Sequence, residues 1–408
     1  MSDRPSPDDS RHDSAGDGAG DGAGDGAGDR ATATRPVYLD SASAEPLHPA
    51  ARDVLLRAAE QGYADPRRLH GPGRAARLLL DNAREVTAQA LGVRADEVTF
   101  TGSGTEAVHR GLLGLHRGRA RSAGGFLVGA VEHSAVRHAT RWTGEPVHEL
   151  PVTRLGAVDP SAAADVVAEA GPVAVAAVQS ANHEVGTLQP VAAVLDALAG
   201  DTPLFVDACA SAGRMPLPAG WSAAAASAHK WGGPAGVGVL LVRKGSVWRN
   251  PFPGDDRVDE RAAGFENVPA ALAAAAALQA VVAERDEVSA RQRAMVERVR
   301  ATVGATVPDV EVVGDPTDRL PHLVTFSCLY VDGEALVTEL DRRGFGIASG
   351  SACTASTLTP SHVLAAMGVL THGNVRLSLT RETTDDDVDR FLAVLPEVVA
   401  ELRARVGP

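Results

Sequence analysis

Apolar and polar positions follow two alternating patterns from about residue 35 onward. Apolar runs rich in Val and Leu predict short buried strands at 98–100, 126–128, 173–178, 204–206 and 237–242. Between most of these runs, apolar positions recur at helical spacing, which predicts helices at 105–115, 135–142, 162–170 and 192–199. Short strands that alternate with helices are typical of a mostly parallel sheet covered on both faces. The sequence therefore predicts an α/β fold.

Further elements surround this alternating unit. A short strand at 37–39 and helical patterns at 50–61 and 75–91 come before it. After it come a long helix and a β-like tail with two helices, predicted at 269–303, 324–326, 334–343, 375–379 and 385–403. We predict a large domain at 35–267, whose first residues can pack on its neighbour, and a smaller α+β domain at 268–408.

The first 34 residues differ from the rest in composition. Eight Asp and three Arg give this segment a net charge of −5, which leaves −8 of the total −13 for the remainder. Residues 16–29 repeat Ala-Gly-Asp-Gly without any large apolar side chain. Such a segment cannot bury enough surface to offset the entropy of ordering, so we predict disorder. A calcium-binding Gly/Asp repeat is the alternative, but it needs apolar positions that the segment lacks.

Composition narrows the class of protein. With 44% hydrophobic and 22% charged residues in 408, the sequence is typical of a soluble globular protein. The acidic net charge argues against nucleic-acid binding, and without a run of 18 apolar residues we predict no membrane span. Three widely spaced cysteines and a polar N-terminus predict a reducing, cytoplasmic location. We predict no metal site.

The segment SAHKWGGP at 227–234 carries the first candidate for chemistry. Lys230 lies between a run of small residues at 223–226 and a Gly-rich loop that enters a predicted strand. A partly desolvated lysine has a lowered pKa, which favours Schiff-base formation with an aldehyde. From this segment alone, a solvated lysine in a surface turn explains the pattern equally well.

Asp207 directly follows the predicted strand at 204–206. Ligands of α/β sheets bind at the carboxyl ends of parallel strands. A carboxylate there can keep the ring nitrogen of pyridoxal phosphate (PLP) protonated, so that the ring withdraws electrons from the substrate carbon. A strand-end or helix-cap aspartate is the alternative.

The segment FTGSGTE at 100–106 follows a predicted strand and opens a helix. Its glycines let the main chain approach an anion, and the N–H groups of a helix N-terminus favour phosphate. Thr105 adds a hydroxyl donor. Many strand-to-helix turns without a ligand have the same pattern, so this motif alone is a weak indication.

Two further side chains are candidates. His133 follows an apolar strand, where it can stack on an aromatic cofactor or move protons, or serve only as the start of a helix. Cys353 lies among small residues on a predicted loop, which suits an accessible thiol nucleophile. We favour an inert role for Cys209 and Cys328, and place Cys328 in the core.

Together and in this order, the motifs resemble the class V aminotransferase family, and within it the cysteine desulfurases. The resemblance runs from about residue 37 to 391 and rests on YLDSA at 38–42, EHSAV at 132–136, EVGTLQP at 184–190, SAHK at 227–230, GSAC at 350–353 with PS at 360–361, and VRLSL at 375–379 with TT at 383–384. It implies the fold-type I architecture of PLP enzymes, with a seven-stranded, mostly parallel sheet in the large domain and a smaller α+β C-terminal domain.

The resemblance also implies a role for each matching residue around the cofactor. Lys230 would bind the cofactor aldehyde as an internal aldimine and later shuttle protons, while Asp207 would pair with the ring nitrogen. His133 would stack on the ring and act in acid–base steps. The phosphate would be held by Gly104, Thr105, Ser227 and His229.

The resemblance also implies two residues that act on the substrate, one that binds its carboxylate and one that attacks its sulfur. Arg376 would bind the substrate carboxylate as a bidentate pair, and Cys353 would take up the sulfur as a persulfide. The implied reaction converts L-cysteine to L-alanine and passes sulfur to an acceptor protein or a small thiol, in a homodimer. Alternatives are a selenocysteine lyase, a C–S lyase or another class V PLP enzyme of a specialised pathway, and, in a different class, a catalytically inactive scaffold subunit.

Some positions depart from the family pattern. His183 stands where the family usually has Asn, and Ala210 where it has Gln, at positions that address the cofactor's phenolic oxygen. We hypothesise that the pair compensates, since the larger His183 can donate a hydrogen bond to cofactor or substrate while Ala210 makes room. Ala262 and Phe265 replace an Arg and a Thr, and this Thr would contact the phosphate of the partner subunit's cofactor. The opening loop at 41–44 also differs.

Overall fold

A seven-stranded sheet forms the centre of the protein in a computed structural model, which describes residues 35–119, 124–171, 173–198, 202–254, 259–349 and 360–406. Its strands are β2 (Val98–Thr101), β3 (Phe126–Gly129), β4 (Val147–Leu150), β5 (Val175–Gln179), β6 (Leu204–Asp207), β7 (Ala223–Ser227) and β8 (Gly238–Val242). The strand order is β2-β8-β7-β6-β5-β3-β4, and only β8 runs antiparallel to the rest. The predicted α/β fold with a mostly parallel sheet is confirmed.

Helices alternate with these strands and cover the sheet. They are α1 (Pro49–Gln61), α2 (Gly71–Leu91), α3 (Gly104–Arg119), α4 (Ser134–Trp142), α5 (Pro160–Ala170) and α6 (Val191–Ala197). Histidines cap the first two, because Nδ1 of His48 and Nδ1 of His70 each accept a main-chain hydrogen bond at 3.1 Å. Proline follows in the first turn of both helices, where its missing N–H costs no helical hydrogen bond.

The central strand β7 consists of four alanines and a serine, all of them buried. Alanine has a low strand propensity, so the pattern of residues 223–226 did not predict a strand. Small side chains here suit the close packing of α3 on the sheet. At Gly111 of α3, a Cβ atom would lie 2.5 Å from Cε2 of Phe205, so the helix can approach this closely only with glycine.

A second core lies beside a three-stranded antiparallel sheet. Its strands are β9 (Val310–Val313), β10 (Leu323–Cys328) and β12 (Asn374–Ser378), in the order β12-β10-β9. A short parallel pair joins β1 (Val37–Tyr38) to β11 (Phe345–Gly346). Helices α8 (Gly333–Arg342), α9 (His362–Met367) and α10 (Asp385–Val406) complete this part. The pattern did not predict β4, β9, β11 or α9, which are short or only partly buried.

One long helix, α7 (Val268–Thr306), contributes to both cores. Its buried residues from Val268 to Leu278 belong to the larger core, and those from Met295 to Val303 belong to the second. By length and composition α7 could cross a membrane, but 44% of its most apolar window is buried inside the protein. From Pro36 onward the chain forms one compact unit. The predicted domain boundary at 267–268 stays a prediction.

Candidate active site

The carboxyl ends of the parallel strands meet at one edge of the large sheet, where a cavity of about 230 Å³ opens. β6 ends at Asp207, β7 ends just before the turn that carries Lys230, and β2 leads into α3. Eight residues predicted to bind the cofactor line this one cavity: Gly104, Thr105, His133, His183, Asp207, Ser227, His229 and Lys230. The fold therefore brings the predicted cofactor set together, while the role of each residue stays a prediction.

The end of the cavity at the start of α3 suits an anion. A helix N-terminus presents main-chain N–H groups and the positive end of the helix dipole. Gly104 lets the helix approach β7, since a Cβ atom at this position would lie 2.6 Å from Cβ of Ser227. Ser227 Oγ lies 3.1 Å from His229 Nδ1, and Thr105 is exposed beside them. Main-chain amides, two hydroxyls and an imidazole therefore surround a place that fits a phosphate.

Asp207 is a buried carboxylate at the cavity wall. Its Oδ1 accepts a hydrogen bond from the main-chain N of Cys209 at 2.9 Å, and its side chain is 6% exposed.

Burial, reinforced by the charge of Asp207, raises the pKa of the Cys209 thiol well above its usual range. Burial raises the pKa of Cys328 to about 11. Both thiols are therefore protonated at neutral pH; Cys209 lines the cavity, and the inert role of both stays a prediction.

His133 caps α4 and faces the cavity. Its Nδ1 accepts a hydrogen bond from the main-chain N of Ala135 at 3.1 Å, so in the neutral ring the hydrogen is on Nε2. Burial lowers the pKa of His133, and the nearby cation of Lys230 adds to that shift although Asp207 opposes it. His133 is therefore a neutral imidazole at pH 7 that can donate one hydrogen bond from Nε2.

His183 lies edge-on to His133, with the ring centroids 4.8 Å apart and the planes at 74°. Burial is the main cause that holds the pKa of His183 well below its usual range, and the positive charges of Lys230 and Arg376 add to it. Its Nδ1 is buried and has no hydrogen-bond partner within the described part of the chain. Ala210 lines the same cavity as His183, and the compensation between the two stays a prediction. An acceptor or donor on a ligand could satisfy this nitrogen.

These groups fit PLP, judged by what the cavity contains. Lys230 contributes an amine, the group that condenses with an aldehyde, Asp207 offers a counter-charge to a ring nitrogen, and the α3 end suits a phosphate. The buried Nδ1 of His183 supplies a further polar contact. The cavity therefore offers a matching group for each part of PLP: its ring nitrogen, its aldehyde and its phosphate.

Arg376 lies in the middle of β12 and not at a strand end. Its buried side chain lies next to residues 182–185, a short segment between β5 and α6 that we call the strip 182–185. Its Nη1 donates to the main-chain O of His183 at 3.1 Å. Its Nη2 donates to Asp40 Oδ1 at 2.9 Å and to Ser43 Oγ at 2.6 Å. The Nε is buried and has no partner among the described residues. The guanidinium is therefore already paired, and a substrate carboxylate would have to compete with Asp40.

Known proteins with similar sequences and structures show to which family the chain belongs. The family described as aminotransferase class-V matches residues 37–391. The chain belongs to the class V aminotransferase family. An "IscS-like cysteine desulfurase" from Mycobacterium tuberculosis is 36% identical over 90% of this chain and 97% of its own length. "Cysteine desulfurase NifS" from Azotobacter vinelandii is 33% identical over 90% and 93%. A solved structure titled "NIFS-LIKE PROTEIN" has a TM-score of 0.81 at 27% identity and covers 90% of this chain and all of that one.

Some residues predicted for this class V protein lie away from the cavity or cannot be placed. Cys353 and the rest of GSAC at 350–353 fall outside the described residues. Phe265 is 55% exposed on the loop before α7, and neither it nor Ala262 lines the cavity. On the same loop, Glu266 forms an ion pair with Arg67 at 2.5 Å. The positions that depart from the family there are therefore on a surface of the single chain.

Several side chains at the site had no role predicted from the sequence. Asp40 and Ser43 bond to Arg376, and Glu184 contacts both His183 and Ser361. All four belong to or adjoin segments on which the resemblance rested. The only signal in the sequence was that a polar residue stands within an otherwise apolar or small-residue motif.

Proposed function

We propose that this protein is a PLP-dependent cysteine desulfurase. It converts L-cysteine to L-alanine, transfers the sulfur to Cys353 as a persulfide and hands that sulfur to an acceptor. The single observation that carries the proposal is that eight residues predicted to bind the cofactor line one cavity, with the amine of Lys230 and the carboxylate of Asp207 at its wall. The named cysteine desulfurases among the relatives, at 31–36% identity, support the choice of substrate.

Each residue has a defined task in this reaction. PLP supplies an electron sink that stabilises negative charge at the substrate Cα. Lys230 would hold the cofactor aldehyde and move the proton at Cα, and Asp207 would keep the ring nitrogen protonated. His133 would lie beside the ring as a neutral imidazole that donates a hydrogen bond from Nε2. Arg376 binds the substrate carboxylate by exchanging its contact with Asp40.

The sulfur step uses the thiolate of Cys353. Its sulfur attacks the sulfur of the substrate, the substrate C–S bond breaks, and the electron pair stays on the carbon side, which takes up a proton and leaves as alanine. L-cysteine and one enzyme thiol thus become L-alanine and one enzyme persulfide. An acceptor thiol then takes the outer sulfur, or a thiol reductant releases it as sulfide and restores Cys353. A reducing, cytoplasmic compartment suits such a thiol.

A homodimer completes the proposal. The α1–α2 region and the loop before α7 expose large apolar side chains, namely Tyr63, Leu69, Leu78 and Phe265 at 67%, 87%, 71% and 55%. Arg67 and Glu266 join the two segments. A protein that leaves such side chains exposed in the single chain commonly covers them with a partner. Light scattering of the purified protein tests this, with Phe265→Glu expected to shift it towards the monomer.

The decisive test reads the cofactor and the sulfur separately. After PLP is added, borohydride reduction and peptide mapping should place a pyridoxyl group on Lys230, and L-cysteine with a reductant should yield equal alanine and sulfide. Cys353→Ser should keep the adduct and lose sulfide release, whereas Cys328→Ser, which removes a buried thiol that does not line the cavity, should keep both. Full activity of Cys353→Ser would make the protein a lyase, and absence of the adduct from wild-type protein would point to the scaffold.

A further inference from the structure

Residues 228–232, which we call the lysine turn, are held by the loop before α1. The main-chain N of Glu45 donates to the carbonyl of His229, and the main-chain N of His48 donates to the carbonyl of Gly232, both at 2.8 Å. Main-chain bonds of this kind fix the path of the turn, but they bring no full charge to the lysine. The carbonyl of the lysine itself lies between these two acceptors in the chain, and a charged side chain binds it.

That side chain is Arg214. Its Nη2 donates to the main-chain O of Lys230 at 3.3 Å and to Oε2 of Glu45 at 2.8 Å. The side chains of Arg214 and Glu45 are 9% and 8% exposed, so they form a buried ion pair. Removing one partner of such a pair leaves the other charge in a place that water reaches poorly. The intact pair therefore holds the guanidinium against the lysine turn.

Glu45 connects this pair to the small sheet. Its Oε1 accepts a hydrogen bond at 2.9 Å from the main-chain N of Arg381, which stands five residues after Arg376. Its Oε2 binds Arg214, and its main-chain N binds the lysine turn. One glutamate thus contacts three segments that are distant in sequence, through three different atoms.

Arg214 reaches the lysine turn from the segment that carries Asp207. This segment follows β6, and its residues Asp207 and Ala210 line the cavity. The main-chain N of Arg214 donates to the main-chain O of Ser211 at 2.9 Å, so the segment is ordered up to the arginine. The proposed partner of the cofactor ring nitrogen and the arginine on the lysine turn therefore stand seven positions apart on one segment.

The charge of Arg214 acts on the same space as the amine of Lys230. Both residues line a small pocket beside the cavity, together with His183, Ala210 and His322. Burial is the main cause that holds the pKa of His322 well below its usual range, and the positive charges of Arg214 and Lys230 add to it. A cation this close disfavours a second positive charge in the pocket, and a carboxylate paired with that cation weakens the effect.

We propose that the buried pair of Glu45 and Arg214 positions Lys230 for its reaction with PLP. The proposal deepens the function proposed above and rests on it, because it gives Lys230 its task with the cofactor. Arg214 is a positioning residue, since it acts through the main chain of Lys230 and through its charge. The pair fixes the lysine turn, and its two charges set how readily the Lys230 nitrogen is protonated when PLP is bound.

The first test measures PLP binding and turnover of the full-length protein. PLP is titrated into protein freed of cofactor, and the visible absorbance band reports binding. We expect Arg214→Met to raise Kd for PLP about tenfold and to lower kcat about tenfold at saturating PLP, with KM for L-cysteine within about threefold. Arg214→Lys keeps the charge and a donor for Glu45, so it should recover most of the lost kcat. The double variant Glu45→Met/Arg214→Met should be no worse than Arg214→Met, because both changes remove one shared interaction.

The second test separates charge from stability by its sign. The pH midpoint of the visible band reports protonation of the Lys230 nitrogen in the PLP-loaded protein. Arg214→Met removes a cation and should raise this midpoint by about 0.5 pH unit, whereas Glu45→Gln removes an anion and should lower it by about as much. A general loss of packing cannot move the midpoint in opposite directions. If Arg214→Met fails to fold, Glu45→Gln and Arg214→Lys still give both readouts.

Matched controls remove similar groups elsewhere. Arg403 is a partly buried arginine of α10 that donates to the main-chain O of Leu329 at 2.9 Å and lines neither pocket. Glu339 is a glutamate of α8 as buried as Glu45, and it pairs with Arg342 at 3.2 Å. Arg403→Met and Glu339→Gln should both leave Kd for PLP and the midpoint of the band unchanged.

The outcomes that overturn the positioning role differ from those that overturn the function. An unchanged Kd and kcat in Arg214→Met, or midpoints that move in the same direction in Arg214→Met and Glu45→Gln, would refute it. A wild-type protein without a pyridoxyl group on Lys230 after borohydride refutes the cofactor chemistry instead. A wild-type protein with that group, but without alanine from L-cysteine, refutes only the desulfurase reaction, and the effects on Kd and on the midpoint then still decide the role of the pair.

Discussion

The two sheets contribute to the site by different physical routes. In the large sheet, Asp207 and Ser227 end neighbouring parallel strands, so the topology itself carries them to one edge. In the small antiparallel sheet, Arg376 sits in mid-strand opposite Thr325, and both side chains bond to carbonyls of the strip 182–185. Parallel strands gather functional groups by a general rule, whereas the antiparallel strand does so only through its register and side-chain packing.

The largest expected effect comes from removing a functional group that the large sheet contributes. Asp207→Ala removes the counter-charge of the cofactor ring nitrogen, so we expect kcat/KM for L-cysteine to fall about a thousandfold, or about 4 kcal/mol of transition-state stabilisation. Steady-state sulfide release measures it, while borohydride mapping of Lys230 verifies that the cofactor is bound. Glu97→Ala, which removes a buried carboxylate bonded to the main-chain N of Lys244, is the control. A loss below tenfold with the cofactor bound would refute this role.

The same contrast explains how much the sequence could predict. Strand ends followed by Asp207 and by Gly104, and a lysine next to a Gly-rich loop, are local patterns, and the parallel sheet turned them into one cavity. The central strand β7 escaped prediction because alanine favours no sheet by itself. Its burial between neighbouring strands decides its conformation, and that context is not local.

Contacts between distant segments account for what the sequence did not predict. The resemblance assigned Arg376 to the substrate, but its pairing with Asp40 joins residues 336 positions apart. Glu184 and Ser361 are 177 positions apart, and neither stands out in its own motif. Such pairs depend on the packing of the small sheet against the strip 182–185. No periodicity along the chain encodes that packing.

An intermediate effect concerns Glu184, where the two sheets meet. Burial raises the pKa of Glu184 to about 7, although the bond from Ser361 and the charge of Arg376 oppose the shift. Because the folded-state pKa lies above the unfolded value, the folded protein holds the extra proton, and stability falls as pH rises from about 4.5 to 7. We expect the wild type to lose up to about 3 kcal/mol of unfolding free energy relative to Glu184→Gln over this range.

Urea unfolding of both proteins between pH 5 and pH 8 measures this difference. The glutamine variant cannot ionise, so subtracting its curve removes the contribution of every other titrating group. The stability advantage of the variant should grow from pH 5 to about pH 7 and stay constant above that. Parallel curves for the two proteins would mean that Glu184 keeps an ordinary pKa, and the contact between the sheets would then be unaffected by pH.

The smallest expected effect concerns Arg376 of the antiparallel sheet. Lysine keeps the charge but cannot offer two parallel N–H donors, so Arg376→Lys should raise KM for L-cysteine about thirtyfold, or about 2 kcal/mol, with little change in kcat. Steady-state kinetics measure the split between the two constants. Arg319→Lys is the control, since Arg319 is a fully buried arginine that pairs with Glu297 in the same part of the molecule.

Asp40→Asn weakens the competitor for the guanidinium and should lower KM, because the substrate carboxylate then displaces an amide instead of a carboxylate. If Arg376→Lys lowered kcat and left KM unchanged, the guanidinium would act in the chemical step, and the small sheet would contribute to the transition state just as the large one does.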